Sequence, residues 1–394
     1  MTQAPTIEEL APGCGDLAAD PYPAYAALRE RGPVHRVHVP DSGESWLVVT
    51  RDAARQALTD PRLSNDIRHS ATWETDGGHA IGRNMLQSDP PQHTRLRRLV
   101  AGHFTPGRIA ALQPRIEAVA DQLLAALPGR GTADLVSAYA LPLPVTVICE
   151  LLGVPEADRT TFHAWSNELV MPTSPQAGAA ASAQLASVLG DLIARKAADP
   201  DGTLLGDLAA AGPDELAGEE LMGMVFLLLV AGHETTVNLI SATLHSLLSH
   251  PDQLALVRAE PALQAAAVEE SLRYHTPVHA SAFRFAAEPL DLAGTAVAAG
   301  DAVQVSLAAA SRDPLHFPDP DRFDLHREGP THLAFGHGLH HCLGAPLARA
   351  EAVIALRRFL AHHPEVSFAE DPARLTWRTS ALLRGLEELP VRLG

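Results

Sequence analysis

Phe335-Gly336-His337-Gly338-Leu339-His340-His341-Cys342-Leu343-Gly344, followed by a helix led by Pro346, is the stretch that decides how this chain folds. Glycines at 336, 338 and 344 strip side chains from both flanks of one cysteine, so backbone can wrap close and aim amide hydrogens at sulfur. Such a nest beside a helix N-terminus favours thiolate over thiol. A thiolate so presented is a nucleophile or a metal ligand. Two plainer alternatives stand beside it. One is a structural cysteine in a glycine-rich turn. The other is a zinc site using His337, His340, His341 and Cys342, although three histidines within five residues do not easily converge tetrahedrally without further partners.

Outward from that stretch, the 394 residues are 46% hydrophobic and 20% charged, which fits a globular chain with a large core. Thirty basic residues against 47 acidic ones give −17, which disfavours nucleic acid and anionic membrane surfaces as partners. Lys196 is the only lysine, a bias of the kind GC-rich bacterial genomes produce. Cys14, Cys149 and Cys342 lie too far apart in sequence for a disulfide framework or a cysteine-rich zinc module, so a reducing compartment is expected. The N-terminus carries acids where a signal peptide would be apolar, which predicts a cytoplasmic protein. The most apolar run, 221–231, is shorter than the ~18 residues of a membrane span and predicts a buried helix.

Helical periodicity covers about 108–126, 143–152, 156–170, 180–198, 218–249, 252–258, 262–274 and 346–362. Asp89-Pro90-Pro91 is expected to open a further helix through Leu99, with Asp89 as its cap. Trp46 to Val49 reads as a strand handing over to a helix at Arg51. After Pro277 the tract through Ala310 alternates and breaks at Gly294 and Gly300, predicting a small β region. The fold class is therefore mainly α with a small β-rich region. No linker or repeat is visible, so a single domain over 1–394 is expected, its first 19 residues a loosely ordered extension. Function is expected in the long irregular segments, 62–88 and the proline-rich passage around RDPLHFPDPDRFD.

Four distant segments carry chemistry of their own. Ala231-Gly232-His233-Glu234-Thr235-Thr236 puts a glycine, an acid and two hydroxyls into an apolar helix, where glycine is roughly 1 kcal/mol worse than alanine and polar groups need partners. Local conflict of this kind marks functional sites, though a threonine can also simply bond back to the preceding turn. Glu270 and Arg273 share one helix face, a pair worth little if exposed. His93 and Arg97 stand four apart on one face, otherwise an ordinary solvated basic stripe. Arg284 sits in the first segment of the β region.

Together with F-G-x-G-x-H-x-C-x-G at 335–344, these segments resemble the cytochrome P450 family, in the family's order and over nearly the whole chain from about Asp20. The soluble bacterial, actinobacterial-like members are the nearest in kind. The resemblance implies the cytochrome P450 fold and a heme-thiolate monooxygenase with heme b, its iron held by Cys342. A thiolate pushes electron density onto iron, and surrounding amides tune it. By the same match Phe335 packs near the sulfur, His93, Arg97, Arg284 and His340 reach the heme propionates, and Gly336, Gly344, Ala231, Gly232 and Leu86 lie against the cofactor. Glu234 and Thr235 deliver protons to dioxygen. Glu270 and Arg273 form a structural ion pair extended by Arg322. Serine at 311 replaces a frequent asparagine, a small departure.

The implied reaction inserts one oxygen atom from O2 into a hydrophobic small molecule, by hydroxylation or epoxidation, in secondary metabolism. Ile81, Met85, Val170, Val230, Val278, His279, Leu382 and Leu383 would line the substrate pocket. His279 either orients a substrate oxygen or is a satisfied wall histidine. No flavin or nicotinamide fingerprint is present, so electrons would come from a ferredoxin with its ferredoxin reductase. Arg95, Arg98, Arg108, Arg349, Arg357 and Arg358 form the expected basic docking patch. Rival functions are a peroxide-driven or coupling heme-thiolate enzyme, against which Glu234 and Thr235 speak, and a noncatalytic heme sensor, for which no partner-facing domain is visible.

Overall fold

The computed structural model describes residues 3–39, 43–73, 82–170, 173–212, 214–380 and 382–394. They divide into two compact units, each assembled from segments far apart in the chain. The first takes Met1–Asp76, Ser241–Ala345 and Asp371–Glu387; the second takes Gly77–Ile240, Pro346–Glu370 and Glu388–Gly394. One boundary falls inside the helix Gly218–Ser249 and another at the start of Ala345–His362, so no shift in composition announces either.

The first unit is built on a five-stranded sheet ordered Val34–Val39, Gly43–Val48, Ala302–Val305, Arg284–Ala286, Leu63–Ser64. Gly43–Val48 pairs parallel with Ala302–Val305 and the other neighbours are antiparallel. The helix Arg51–Thr59 lays Ala53, Ala54, Ala57 and Leu58 into the same apolar cluster as Val48, Val303 and Val305. The alternating tract after Pro277 supplies four short strands, but its last residues, Leu307–Ser311, are helical. The Ser306 hydroxyl accepts from the Ala309 amide at 3.1 Å and caps an alanine-rich run whose propensity is for helix.

The N-terminal segment is also more ordered than its sequence suggests. Ile7–Leu10 is a helix closed by a capping box between Thr6 and Glu9, and the His38 amide bonds Pro5 O at 2.8 Å. Ile7 and Leu10 pack against Tyr22, Tyr25 and Leu28. Two apolar side chains among acids give too weak a period to show this docking.

The second unit is helical, with one three-stranded sheet in the order Gly131–Asp134, Pro390–Leu393, Ser367–Phe368. Its main helices are Gln92–Ala101, Pro106–Ala126, Pro142–Leu152, Glu156–Val170 and Pro175–Ala198, with most of Gly218–Ser249 and Ala345–His362. Asp89 does not cap the helix after it. Pro91 is the cap residue, and the Asp89 carbonyl accepts from the His93 amide at 2.9 Å. The helix Gly218–Ser249 is long and apolar enough to cross a membrane by length and composition, as is Gln176–Ala198. The apolar window of Gly218–Ser249 is 67% buried, so its hydrophobicity serves the core.

Two glycines decide close approaches to this helix. A Cβ on Gly223 would stand 2.2 Å from Arg83 O, and one on Gly82, whose φ is +103°, would stand 2.4 Å from Glu219 O. Backbone therefore crosses backbone there with no side chain between. A Cβ on Gly232 would meet the Ile148 side chain at 2.6 Å, so that side chain on the helix Pro142–Leu152 would have to shift to admit one.

Glu351, in Ala345–His362, is 1% exposed, and burial alone raises its pKa from 4.5 to about 8. The folded state thus holds a proton that the unfolded chain releases between those values. Stability is greatest below the unfolded pKa and falls as pH rises towards 8. Glu351→Gln should remove that slope, leaving wild type less stable than the variant at alkaline pH by a few kcal/mol. Denaturant midpoints from about pH 5 to pH 8.5 test this; parallel profiles for the two proteins would refute it.

Candidate active site

In the first unit, Cys342 sits in a loop closed by backbone bonds: its amide donates to Phe335 O at 2.9 Å, the Gly336 amide to Leu333 O at 2.8 Å, and the His341 amide to Gly338 O at 3.1 Å. Gly336 and Gly338 adopt φ of +72° and +74°, backbone that side chains resist. Gly338 also passes the end of Arg51–Thr59, where a Cβ would lie 3.0 Å from Leu58 O. A Cβ on Gly344 would lie 3.9 Å from Sγ, an ordinary contact, so packing at the sulfur does not itself demand this glycine. Cys342 is exposed, whereas Cys149 is buried and its thiol is pushed up to about 12 by desolvation. Phe335 is half-buried, its ring 6.5 Å from that of His341. The zinc alternative fails on geometry: among the described residues His337, His340, His341 and Cys342 do not gather their ligand atoms.

Arg284, on the strand Arg284–Ala286, is buried, its Nη1 3.5 Å from the carbonyls of Ala57 and Leu63. Val278 and Leu383 meet in an antiparallel bridge, and the Ala280 amide lies 3.5 Å from Leu382 O. His279 beside them has both ring nitrogens engaged, Nε2 with Ser380 O at 2.8 Å and Nδ1 with Tyr25 Oη at 3.4 Å. Burial holds its pKa below the usual range. It is a satisfied wall histidine, not one aimed at a substrate oxygen.

Glu270 and Arg273 form a buried bidentate pair at 2.7 and 2.8 Å. The third member of this network is Arg327, not Arg322. Arg327 Nε donates to Glu270 Oε1 at 3.1 Å, and its other nitrogens bind carbonyls of Pro318, Asp319 and Arg322. Arg322 contributes only its carbonyl to Arg273, while its side chain, 64% exposed, faces Asp324 at 3.5 Å. The proline-rich passage turns on its own carbonyls, and the cation five residues later is the one carried inward. Nothing in periodicity distinguishes the two.

In the second unit, His93 is buried on Gln92–Ala101, and desolvation with the nearby Arg97 charge lowers its pKa. Asn84 caps the short 3-10 turn Met85–Gln87, placing Met85 and Leu86 half-buried. On Gly218–Ser249, Ala231 is exposed, Val230 half-buried and Glu234 buried. The Thr235 hydroxyl donates to Ala231 O at 3.2 Å, the bond to its own helix that any threonine can make. His233, left without a role in the sequence, has Nε2 3.3 Å from Glu234 Oε1 and 2.9 Å from Ser166 Oγ. Ile81 lies outside the described residues, and Val170 is placed only as the end of Glu156–Val170. The basic patch is weaker than charge counting suggests. Arg95, Arg357 and Arg358 pair with Glu220, Glu117 and Asp121.

A family model described as Cytochrome P450 matches residues 201–364. The chain is 49% identical over 396 residues to the cytochrome P450 monooxygenase PikC of Streptomyces venezuelae, covering 99% of this chain and 95% of that protein. It is 46% identical to the vitamin D(3) 25-hydroxylase of Pseudonocardia autotrophica, covering 96% and 95%. Among solved structures, the tirandamycin C-bound P450 monooxygenase TamI superposes with a TM-score of 0.91 at 44% identity, over 96% of this chain and 99% of that one. The chain belongs to the cytochrome P450 family. It is a monooxygenase, hence an oxidoreductase, of the family that works through a heme-thiolate centre.

Within the first unit the residues fit such a group: a single exposed thiol is presented by a loop that left-handed glycines hold open, and Arg284 is a buried cation suited to a carboxylate of a heme.

Proposed function

We propose that the chain inserts one oxygen atom from O2 into a hydrophobic small molecule of secondary metabolism, by hydroxylation or epoxidation, using heme b held by Cys342. The observation that carries this is the exposed thiol in its glycine-turned loop. The heme, when bound, supplies the activation of dioxygen. His93, Arg97, Arg284 and His340 would bind its propionates through charge-assisted hydrogen bonds. Phe335, Gly336, Gly344, Ala231 and Leu86 would lie against it. Gly232 would lie there too.

Glu234, buried on an apolar helix, would hold a proton for delivery, and Thr235 would pass it on. Because the Thr235 hydroxyl donates to Ala231 O, its lone pairs remain to accept from a proton donor. Thr235→Ala should still bind heme but divert reducing equivalents to hydrogen peroxide, lowering product per NADPH by about ten- to a thousandfold. Peroxide release and NADPH consumption, measured with a surrogate ferredoxin and ferredoxin reductase, decide the matter. Unchanged coupling would remove the proposed role.

Met85, Val230, Val278, Leu382 and Leu383, with Ile81 and Val170, would contact substrate. Their aliphatic character favours an apolar ligand. Secondary metabolism is supported by relatives such as the 6-deoxyerythronolide B hydroxylase of Saccharopolyspora erythraea, 40% identical over 409 residues, and by the tirandamycin C bound to TamI. A ferredoxin is the proposed electron donor.

A further inference from the structure

We propose that His163, His233 and Glu234 form a binding site for a zinc ion, and that zinc held there switches turnover off. The second half rests on the proton-holding role proposed for Glu234; the first stands on geometry alone. His163 comes from Glu156–Val170 and the other two are neighbours on Gly218–Ser249. One ligand atom from each lies within 4.8 Å of the other two. His233 Nε2 and Glu234 Oε1 are 3.3 Å apart, close to the ~3.3 Å separating two ligands of a tetrahedral ion with ~2.0 Å bonds. His163 is half-buried, so its imidazole can swing inward the remaining distance and gives an ion a way in.

The protonation pattern also suits a metal. His233 Nδ1 lies 2.7 Å from Leu229 O, an atom that can only accept, so Nδ1 carries the hydrogen and the lone pair of the neutral ring sits on Nε2. A ligating histidine is commonly held this way by a backbone carbonyl. Ser166 Oγ now occupies Nε2 at 2.9 Å, but it has His163 O at 3.0 Å as a second acceptor and can turn to it when a cation arrives. Two imidazoles and one carboxylate form a nitrogen-rich set that selects zinc over magnesium or calcium, which take oxygen ligands. The ion's charge would also compensate the buried carboxylate, and water would complete the tetrahedron. With its carboxylate ligated, Glu234 could no longer hold a proton for transfer.

The heme-loaded protein should be dialysed against zinc chloride, gel-filtered and assayed for zinc per chain by atomic emission. Wild type should retain one zinc more than His163→Ala, with affinity weakened at least about tenfold in the variant. Equal zinc in the two proteins would overturn the site. The ferrous carbon monoxide spectrum reports whether His163→Ala has folded. If it has not, anomalous scattering at the zinc edge from zinc-soaked wild-type crystals decides, with a peak among the three side chains expected and no peak there fatal. Zinc should lower product formation in wild type but not in His163→Ala, whose basal activity should be unchanged. Zinc bound at the site without inhibition would retain the site and refute the proton role of Glu234.

Discussion

Cys342→Ser is expected to abolish monooxygenase activity while leaving most of the fold intact. The loop around the cysteine is closed by backbone bonds to the carbonyls of Phe335, Leu333 and Gly338 and by two left-handed glycines, none of which uses the sulfur. A hydroxyl at 342 therefore sits where the thiol did but remains protonated at neutral pH and gives iron little electron density. The red-shifted Soret band of the ferrous carbon monoxide complex, a signature of thiolate ligation, should be present in wild type and lost in the variant. Turnover should fall by orders of magnitude, since no other described cysteine is exposed. A variant that kept both band and activity would mean that another group holds the iron.

The second large effect is expected at Glu270. Its carboxylate is 5% exposed and accepts from Arg273, Arg327 and the Asp324 amide. Removing one member of a buried ion network leaves an uncompensated charge, at a cost of about 3–5 kcal/mol. That is a large part of the 5–15 kcal/mol stabilising a typical domain, so Glu270→Gln should give little folded, heme-loaded protein. Arg327→Ala should follow it part of the way, because it also frees the carbonyls of Pro318, Asp319 and Arg322. Arg322→Ala, which removes only an exposed side chain, should lie within about 0.5 kcal/mol of wild type. Denaturant midpoints rank the three, and equal losses for Arg322→Ala and Arg327→Ala would contradict the assignment.

The contrast between these arginines shows what sequence could and could not say. Glu270 and Arg273 share a helix face by periodicity, so their pairing follows from three-residue spacing. Arg322 and Arg327 lie in an irregular passage, where side-chain direction depends on turns set by long-range carbonyl contacts. The long helices were visible because their apolar faces repeat over many turns. Leu307–Ser311 was not, since one helical turn buried on all sides looks like the end of a strand. The cysteine loop was open to reading because glycine spacing imposes its turns. His233 and Ser166 were hidden because nothing in sequence brings position 166 to position 233. The two-unit division was hidden for a similar reason, two of its borders lying within continuous helices.

The crossing at Gly82 and Gly223 has an evolutionary consequence. The segment leading to Asn84, Met85 and Leu86 meets its helix main chain to main chain, with Arg83 O and Glu219 O at the points of contact. Drift in the surrounding side chains cannot slide that seat. Position 85, proposed above to contact substrate, can therefore exchange residues on a mounting that stays put. Loss of either glycine should be the rare event that moves the mounting itself, and descendants that alter one should be found to have rebuilt the other side of the contact.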